Sequence, residues 1–437
     1  MIAIPLGEVV KAEVMAELEA ARSRSLLLLD PIAEEDQRRQ HSPLMAPLVW
    51  DLAHVGNYED QWLLRSVGEQ GVRPSVDDIY DAFRHPRASR PGLPLLGPAE
   101  ARAYVTQVRE RALGALDRVE LDPDRPLLRN GFVYGLVIQH EHQHDETMLA
   151  TRQLMGEDAP PLGGVTPAPP AGQQIFEPEV FVPGGSYVIG SDIEPWAYDN
   201  ERPAHPVVLA PFWIDTVPVT SGVYAEFIDA GGYDDRRWWT GEGWSWRQEE
   251  NLEHPQFWRR EGGASWSVLR FGRRTDLRPD EPVQHVCWYE ADAYARWIGR
   301  RLPSEAEWEV AASTAPDGTK QRFPWGDAEP TSLTANLGQR HDGPAPVGAF
   351  PAGVSARGCM QMAGDVWEWT SSDFTAYPGF SSFPYRDYSE VFFDSGYKVL
   401  RGGCWATSPL SARCTFRNWD HPIRRQIFSG FRCARDA

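Results

Sequence analysis

The spacing of apolar residues changes in the middle of the chain, and this change limits the possible folds more than any other feature. Residues 8 to about 155 contain four segments with helical spacing, among them "VVKAEVMAELEAARSRSLLLL" and "GPAEARAYVTQVRERALGALDRV". After residue 175, short β-like runs such as "EVFVPGGSYVIG" and "HPVVLAPFWIDTVPVT" alternate with dense turns. The sequence therefore predicts a helical domain followed by a domain of mixed α and β structure.

Domain boundaries follow from the same change of pattern. Four consecutive amphipathic segments predict an up-and-down four-helix bundle over residues 1–155. The stretch "GEDAPPLGGVTPAPPAGQQ", residues 156–174, is rich in Pro, Gly and Ala and is expected to be a linker. Residues 175–437 form the second domain, with helices predicted at "SGVYAEFIDAGG" and "WYEADAYARWIGRRL".

One connection inside the bundle is unusually long. The stretch "DDIYDAFRHPRASRPGLPLLGP" separates the second and third helical segments. Its prolines predict a long surface connection. Loops of this length in compact domains often carry function.

Charge and composition exclude several classes of partner. A formal charge of −19 argues against nucleic acid and anionic membranes, since both bind basic surfaces. The chain lacks a run of about 18 apolar residues, and "MIAIPLGEVVKAEV" carries charges where a signal peptide has its apolar core. We therefore expect a cytoplasmic protein. Five cysteines without a C-x-x-C pair predict reduced, mostly buried thiols.

Three histidines occupy alternate positions in "VIQHEHQHDETM", residues 137–148. A helix turns about 100° per residue, so His140 and His144 lie about 40° apart on one face and can bind one metal ion. His142 points elsewhere and is interpreted as structural. His54, in the apolar stretch "VWDLAHVG" of the second helical segment, is the candidate third ligand. Bundle metal sites are built from facing helices, and a buried imidazole needs a partner.

The residues alone leave the metal and its use open. Three neutral imidazoles without a carboxylate suit Zn, Fe or Cu and leave coordination positions for substrates. The same run also satisfies the H-E-x-x-H pattern of zinc metalloproteases, with Glu141 directly after His140. A zinc hydrolase and a metal-stabilised binding module without catalytic activity therefore both stay as alternatives.

Motifs spread over nearly the whole chain point to one family. They are "PLVWDLAHVG", "HPRASR" and "HEHQHDETM" in the helical part and "NERPAH", "RLPSEAEWE", "FPWGD", "GDVWEWTSS", "VLRGG" and "FRNWDHPIRRQIFSGFR" after it. In combination they resemble the hercynine-dependent sulfoxide synthases of ergothioneine biosynthesis. The resemblance implies a DinB-like four-helix bundle followed by a C-type-lectin-like domain similar to the formylglycine-generating enzymes.

The resemblance also implies a reaction and its metal site. Such enzymes use non-haem Fe(II) and O₂ to join a cysteine thiol to the imidazole C2 of hercynine, Nα-trimethylhistidine, and oxidise the sulfur to a sulfoxide. The family's iron ligands correspond to His54, His140 and His144, the three histidines that helix geometry selects. Gln143, beside the last ligand, corresponds to the residue that hydrogen-bonds the hercynine imidazole.

The substrates carry charges that the implied contacts can match. The quaternary ammonium of hercynine favours an aromatic wall through a cation–π attraction of about 0.5–2 kcal/mol, for which Phe416 and Trp419 are candidates. Asn418 is a candidate partner of the hercynine carboxylate. In the branch that uses γ-glutamylcysteine, the resemblance assigns the carboxylates and amine of this thiol to four residues: Arg87, Arg90, Asp420 and Arg424. Guanidinium groups bind carboxylates in a bidentate manner.

Oxygen reduction during the reaction needs a nearby proton donor, and a tyrosine hydroxyl can serve. The family's Y-x-x-Y pattern in "GFSSFPYRDYSEVFF" assigns the catalytic tyrosine to Tyr385 and a substrate-contacting tyrosine to Tyr388. Tyr377, eight residues earlier, is the alternative if the alignment of this loop is shifted.

Enzymes of related activity are alternatives to a synthase that uses hercynine and γ-glutamylcysteine. A formylglycine-generating oxidase uses copper held by a close cysteine pair, but Cys404 and Cys414 are ten residues apart and the short spacing is missing. Within the synthases, one enzyme acts on histidine and cysteine to give a 5-histidylcysteine product, and another accepts a selenosugar. The "HPRASR" and "NWDHPIRR" stretches favour hercynine with γ-glutamylcysteine.

Overall fold

Helices dominate the N-terminal part of the chain in the computed structural model, which describes residues 6–162, 167–262 and 265–437. In chain order they are α1 (Leu6–Leu29), α2 (Glu34–Arg38), α3 (Leu48–Glu59), α4 (Asp77–Tyr80), α5 (Pro98–Arg118) and α6 (Phe132–Leu154). The four long helices α1, α3, α5 and α6 fall where apolar spacing predicts them. Helix α3 continues as a π-helical turn and a short 3₁₀ turn, Asp60–Leu64 and Arg65–Val67.

Two compact units make up the structure. Unit 1 comprises Met1–Gly164 with the short segments Glu194–Trp196 and Phe271–Arg273, and unit 2 comprises Val165–Ile193, Ala197–Arg270 and Arg274–Ala437. Part of the expected linker, residues 163–166, lies outside the described residues. Its residues 167–174 contain neither helix nor strand. The bounds 1–155, 156–174 and 175–437 remain predictions.

A buried ion-pair network joins the four long helices of unit 1. Arg22 of α1 contacts Glu59 of α3 and Glu141 of α6, each at 2.7 Å. Arg109 of α5 contacts the same two carboxylates at 2.6 and 2.7 Å. Each helix thus contributes one charge, and each charge has two partners of opposite sign. Such buried groups are tolerated because they are paired, and losing one member leaves the others uncompensated.

The long connection between α3 and α5 departs from the expected surface loop. It contains α4 and a 3₁₀ segment, Arg87–Gly92, and it buries Tyr80, Arg90 and Leu96. The Tyr80 hydroxyl accepts a hydrogen bond from the Leu96 backbone N–H at 2.9 Å, which ties α4 to the residues just before α5. The expectation of a surface connection is therefore wrong for these three side chains.

Within its described residues, unit 2 contains twelve short strands. They are β1 (Glu179–Val182), β2 (Gly185–Ile189), β3 (His205–Leu209), β4 (Phe212–Asp215), β5 (Trp258–Arg260), β6 (Trp266–Arg270), β7 (Arg273–Asp276), β8 (Trp367–Asp373), β9 (Lys398–Arg401), β10 (Asn418–Asp420), β11 (Ser429–Gly430) and β12 (Ala434–Asp436), with only the start of β7 assigned to unit 1. Their sheets have the orders β1-β4-β12, β10-β9-β8-β11, β2-β3 and β5-β6-β7. Strand β11 pairs in parallel with β8, whereas β9 is antiparallel to both β8 and β10.

In the same described ranges, four α-helices lie among these strands. They are α7 (Ser221–Asp229), α8 (Gly241–Glu249), α9 (Trp288–Trp297) and α10 (Glu305–Ser313). Helices α7 and α9 occur where the sequence predicts them, whereas α8 and α10 were not predicted. Helix α10 begins with a capping box, in which the Ser304 hydroxyl accepts from the Glu307 N–H and the Glu307 carboxylate accepts from the Ser304 N–H. The S-x-x-E spacing is the signal that could have located it.

The cysteines agree with the sequence-based expectation. All five are buried and free of disulfide bonds. Within the described residues, none of the helices combines the length and the apolar character that crossing a membrane requires.

Candidate functional site

Three histidines of unit 1 converge at the contact between α3 and α6. One nitrogen from each of His54, His140 and His144 lies within 4.8 Å of the others. The Nε2 atoms of His54 and His140 are 3.3 Å apart. His54 and His140 are buried, and His144 is half-buried. Because His140 and His144 are one helical turn apart, their rings point to the same side of α6, and α3 supplies the third ring.

Aromatic neighbours hold two of the imidazole rings in place. The His54 ring stacks on Trp50, with centroids 4.5 Å apart and an angle of 13° between the planes. The His140 ring stacks on Tyr58 at 3.8 Å and 17°. Both aromatic side chains belong to α3 and are buried. Stacking leaves these two rings few alternative rotamers, so the nitrogens of His54 and His140 are positioned before any ligand binds.

Hydrogen bonds define the protonation of two rings. Nδ1 of His54 lies 2.7 Å from the carbonyl oxygen of Tyr80, and Nδ1 of His144 lies 3.0 Å from Oδ1 of Asp51. A carbonyl or carboxylate oxygen accepts a hydrogen bond, so Nδ1 carries the proton in both rings. Each Nε2 then presents a lone pair. Metal-binding histidines in proteins are usually held in this manner.

The environment of the cluster favours the neutral form of His54 and His140. Burial lowers the pKa of His54 well below its usual range, and the neighbouring His144 lowers it further. Burial and the same neighbour also lower the pKa of His140 well below its usual range. A neutral imidazole is the form that coordinates a metal ion. The three imidazole nitrogens, which come from two helices, fit a divalent transition metal with open coordination positions.

Glu141 and His142 interrupt the histidine run and lie outside the cluster. Burial alone would raise the pKa of Glu141, but the charges of Arg22 and Arg109 outweigh it and lower that pKa to about 2. His142 pairs through Nδ1 with Oδ2 of Asp145 at 3.1 Å. A carboxylate occupied by two guanidinium groups cannot accept a proton at neutral pH. The arrangement therefore disfavours the zinc hydrolase alternative, in which Glu141 would be the general base.

Two arginines and a glutamine of unit 1 are predicted substrate contacts. Arg87 is exposed, whereas Arg90 is buried. Nε of Arg90 donates to the carbonyl of His85 at 3.0 Å, and its guanidinium stacks at 3.6 Å over Trp50, the residue that also supports His54. Burial lowers the pKa of Arg90 to about 10. Gln143 is half-buried on α6, directly before His144.

In unit 2, the predicted hercynine contacts belong to an aromatic cluster. The Trp419 ring stacks on Phe374 with centroids 4.2 Å apart and an angle of 6° between the planes, and it remains half-buried. Phe416 is buried and meets the edge of Tyr198 at 5.8 Å. Oδ1 of Asn418 accepts from the Trp419 N–H at 2.9 Å. Trp419 is thus the more accessible of the two aromatic candidates.

Asp420 and Arg424 form an ion pair at the end of β10. Nε of Arg424 donates to both carboxylate oxygens of Asp420, at 3.0 and 3.1 Å. Arg424 is buried and Asp420 is half-buried. The pair offers both signs of charge within a few ångströms, as recognition of an amino-acid group requires.

The three candidate tyrosines differ in burial and in the residues that they contact. Tyr385 is half-buried and meets the edge of Tyr388, with ring centroids 6.2 Å apart. Tyr388 is buried and stacks on Tyr198 at 4.3 Å. Tyr377 is buried, its hydroxyl donates to Glu305 at 3.3 Å, and the Arg417 guanidinium lies 4.0 Å from its ring centre. Among the three candidates, Tyr385 is partly accessible, whereas Tyr377 and Tyr388 are buried.

Asp199 fixes both ends of the loop that carries Tyr385 and Tyr388. Its Oδ2 accepts from the Phe383 backbone N–H at 3.2 Å, and its Oδ1 accepts from the Ser389 hydroxyl at 2.5 Å. Burial raises the pKa of Asp199 to about 6, although these hydrogen bonds act in the opposite direction.

Sequence reasoning missed the residues that support the candidates. These are Trp50, Asp51, Tyr58 and Tyr80 around the histidines and Tyr198 and Asp199 around the tyrosine loop. One signal was available for Asp51, because an acid three residues before His54 shares its helix face within an otherwise apolar stretch. Tyr80 and Asp199 contact residues that are far apart from them in the sequence. The sequence around each of them therefore shows no pattern that predicts these contacts.

Two family models match the chain. The DinB superfamily matches residues 17–148, and the sulfatase-modifying factor enzyme 1-like domain matches residues 166–437. Together with the helices of unit 1 and the strands and helices of unit 2, these matches confirm the predicted fold class.

Individual relatives extend the similarity. The chain is 51% identical over 436 residues to the hercynine oxygenase of Mycolicibacterium thermoresistibile, covering 98% of this chain and 95% of that protein. It is 52% identical over 431 residues to the hercynine oxygenase of Mycolicibacterium smegmatis, with coverages of 96% and 98%. The formylglycine-generating enzyme of Thermomonospora curvata is 32% identical over 297 residues, covering 60% of this chain and 95% of that protein.

Proposed function

The chain belongs to the hercynine oxygenase family, and on this premise we propose that it is a non-haem iron(II)- and O₂-dependent sulfoxide synthase. Its substrates are hercynine and γ-glutamylcysteine, and its product is γ-glutamyl-hercynylcysteine S-oxide. The observation that carries the proposal is the cluster of His54, His140 and His144 in a chain that is similar over nearly its full length to hercynine oxygenases.

The proposed reaction balances with O₂ as the oxidant. A bond forms between the imidazole C2 and the sulfur, while the C2–H and S–H bonds break. One oxygen atom enters the sulfoxide, and the other leaves as water with the two hydrogens. Iron(II), when bound, would supply the activation of O₂ that this chemistry needs. His54, His140 and His144 would hold it, and the histidine set leaves positions for ligands other than protein.

Residues of unit 1 would select the thiol and orient the imidazole. Arg87 exposes its guanidinium in the connection between α3 and α5, where it can pair with a carboxylate of γ-glutamylcysteine. Arg90 is held by backbone carbonyls and Trp50, so its charge is fixed in place. Gln143 would hydrogen-bond the hercynine imidazole through its side-chain amide, which can donate or accept.

Residues of unit 2 would recognise the remaining substrate groups. Trp419 and Phe416 offer aromatic surface to the quaternary ammonium, and Trp419 keeps part of its ring accessible. Asn418 would bind the hercynine carboxylate. The pair of Asp420 and Arg424 would bind the amine and a carboxylate of the thiol substrate. Tyr388 would also contact substrate.

Tyr385 would donate the proton that oxygen reduction requires. Its hydroxyl belongs to a half-buried side chain on a loop anchored by Asp199. In contrast, the hydroxyl of Tyr377 is engaged with Glu305 in a buried ionic network. A partly accessible phenol can exchange its proton with substrate or solvent, whereas the side chain of Tyr377 is buried.

Product analysis tests the proposal. The metal-free protein is loaded with Fe(II) under anaerobic conditions and exposed to O₂ with hercynine or histidine, each combined with γ-glutamylcysteine or cysteine. We expect the sulfoxide from hercynine and γ-glutamylcysteine, with one O₂ consumed per product, and His142→Ala should retain this activity. Preference for histidine with cysteine would assign the chain to the related synthases. No product from any pair, despite bound iron, would favour a non-catalytic binding module.

A further inference from the structure

Asp51 is the charged group in direct contact with the histidine cluster. Its Oδ1 accepts from Nδ1 of His144 at 3.0 Å, and the residue is 1% exposed. Asp51 belongs to α3, three residues before His54, so one helix supplies both a candidate ligand and the carboxylate that binds another. The contact crosses from α3 to α6 and thereby joins the two helices at the cluster.

The second carboxylate oxygen of Asp51, Oδ2, has an unusual environment for a charged group. Within the described part of the chain, Oδ2 is buried and has no hydrogen-bond partner. A buried carboxylate oxygen without a partner is costly, because it has lost water without gaining a donor. The buried Arg90 guanidinium attracts Asp51 electrostatically, but Oδ2 still receives no hydrogen bond. A divalent cation on the adjacent imidazoles would add positive charge close to this oxygen.

The two supported histidines are held by different kinds of acceptor. The carbonyl of Tyr80 that binds His54 is neutral, whereas the Asp51 carboxylate that binds His144 is negatively charged. Both acceptors fix the ring with the proton on Nδ1. Only the carboxylate also adds a full charge, which makes the imidazole a stronger donor to a metal ion.

We propose that Asp51 is a positioning residue of the metal centre, which fixes the tautomer of His144 and supplies the negative charge that favours a divalent cation. This inference rests on the proposed metal-binding function. It assigns to Asp51 no contact with substrate. It predicts that removing the charge weakens metal binding while leaving the metal-free fold intact.

The chain contains a matched control for this proposal. Asp145 and His142 form a second buried carboxylate–imidazole pair in unit 1, with Oδ2 and Nδ1 3.1 Å apart. Asp145 also accepts from the Ser25 hydroxyl at 2.7 Å, so it ties α6 to α1. His142 is not part of the cluster. Asp145→Asn therefore removes an equivalent charge without touching a candidate ligand.

The experiment is an anaerobic Fe(II) titration against a competing chelator, combined with thermal unfolding of each protein without metal. The variants are Asp51→Asn, Asp51→Ala and Asp145→Asn in the full chain. Asp51→Asn and Asp51→Ala should weaken Fe(II) binding by roughly 10- to 100-fold, with an unchanged metal-free Tm for Asp51→Asn. Asp145→Asn should lower the metal-free Tm and keep the affinity. Visible spectra of the Co(II) forms should change for the Asp51 variants alone.

The outcomes separate the two proposals. If the wild-type protein binds one Fe(II) per chain and Asp51→Asn binds it equally tightly, the proposed role of Asp51 is wrong. The proposed function is unaffected by that result. A metal-free Tm that falls as much in Asp51→Asn as in Asp145→Asn, with unchanged affinity, also overturns it and assigns Asp51 to the fold. If the wild-type protein binds no Fe(II), the proposed metal centre is wrong, and the role of Asp51 is wrong as well.

Discussion

Nε of Arg22 donates to Oε1 of Glu141 at 2.7 Å, although Glu141 directly follows a candidate metal ligand in the sequence. The carboxylate therefore serves the helix bundle and faces away from the chemistry that an H-E-x-x-H motif suggests.

Glu141→Gln should lower the free energy of unfolding by about 3–5 kcal/mol, because Arg22 and Arg109 lose a shared buried partner. Urea unfolding of the metal-free protein measures this change. Metal analysis should still find iron bound to the folded variant. Glu110→Gln, at an exposed position of α5, is the control and should change stability by less than about 0.5 kcal/mol. Loss of activity without loss of stability would instead support a role for Glu141 as a base.

His54→Ala, His140→Ala and His144→Ala should each abolish iron retention and turnover, because two imidazoles make a weak site. Metal content after desalting and product yield are the measurements. His142→Ala should lose stability with its Asp145 contact but retain iron. The assignment of ligands is wrong if His142→Ala loses the metal and His140→Ala keeps it.

Arg87→Met should raise the KM for γ-glutamylcysteine by roughly 10- to 100-fold, equivalent to about 1.5–3 kcal/mol of charge-assisted hydrogen bonding, with little effect on the KM for hercynine. Arg90→Met should raise the same KM and also lower the Tm, because Arg90 is buried against Trp50. Steady-state kinetics with each substrate varied separate these effects. Equal changes in both KM values for Arg87→Met would contradict a thiol-specific contact.

Tyr385→Phe should bind both substrates nearly as well as wild type but lose C–S bond formation, with the thiol oxidised by O₂ to its sulfinate. An oxygen electrode and product NMR measure the partition. Tyr377→Phe should keep the sulfoxide as product and lose about 1–3 kcal/mol of stability, since its hydroxyl donates to the Glu305 carboxylate. The reverse pattern would mean that the catalytic tyrosine is Tyr377.

Asp199 should make the stability of unit 2 depend on pH in a defined direction. Its pKa is raised from 3.8 to about 6 in the folded protein, so the folded state holds this proton more tightly than the unfolded chain. The stabilising contribution is present at low pH and is lost as the pH rises through about 6. Relative to Asp199→Asn, wild type should lose about 2 kcal/mol between about pH 4.5 and about pH 7.5. Asp387→Asn, exposed in the same loop, should follow wild type. A parallel pH dependence of Asp199→Asn and wild type would contradict the assignment.

Features that depend on local periodicity could be predicted from the amino-acid sequence. The 3.6-residue repeat located α1, α3, α5 and α6, and the same geometry put His140 and His144 on one face while excluding His142. The change from helical to β-like spacing separated the two kinds of domain. These properties arise within one or two turns of chain, so neighbouring residues are sufficient to reveal them.

The tertiary structure alone decided which distant groups meet. Nothing local to Glu141 indicates that arginines from α1 and α5 neutralise it, or that the carbonyl of Tyr80 would orient His54 from an apparent surface loop. The same holds for Asp199, whose partners Phe383 and Ser389 are more than 180 positions away in sequence. Such contacts depend on how helices and loops pack, and packing is set by the sum of many weak interactions over the whole fold.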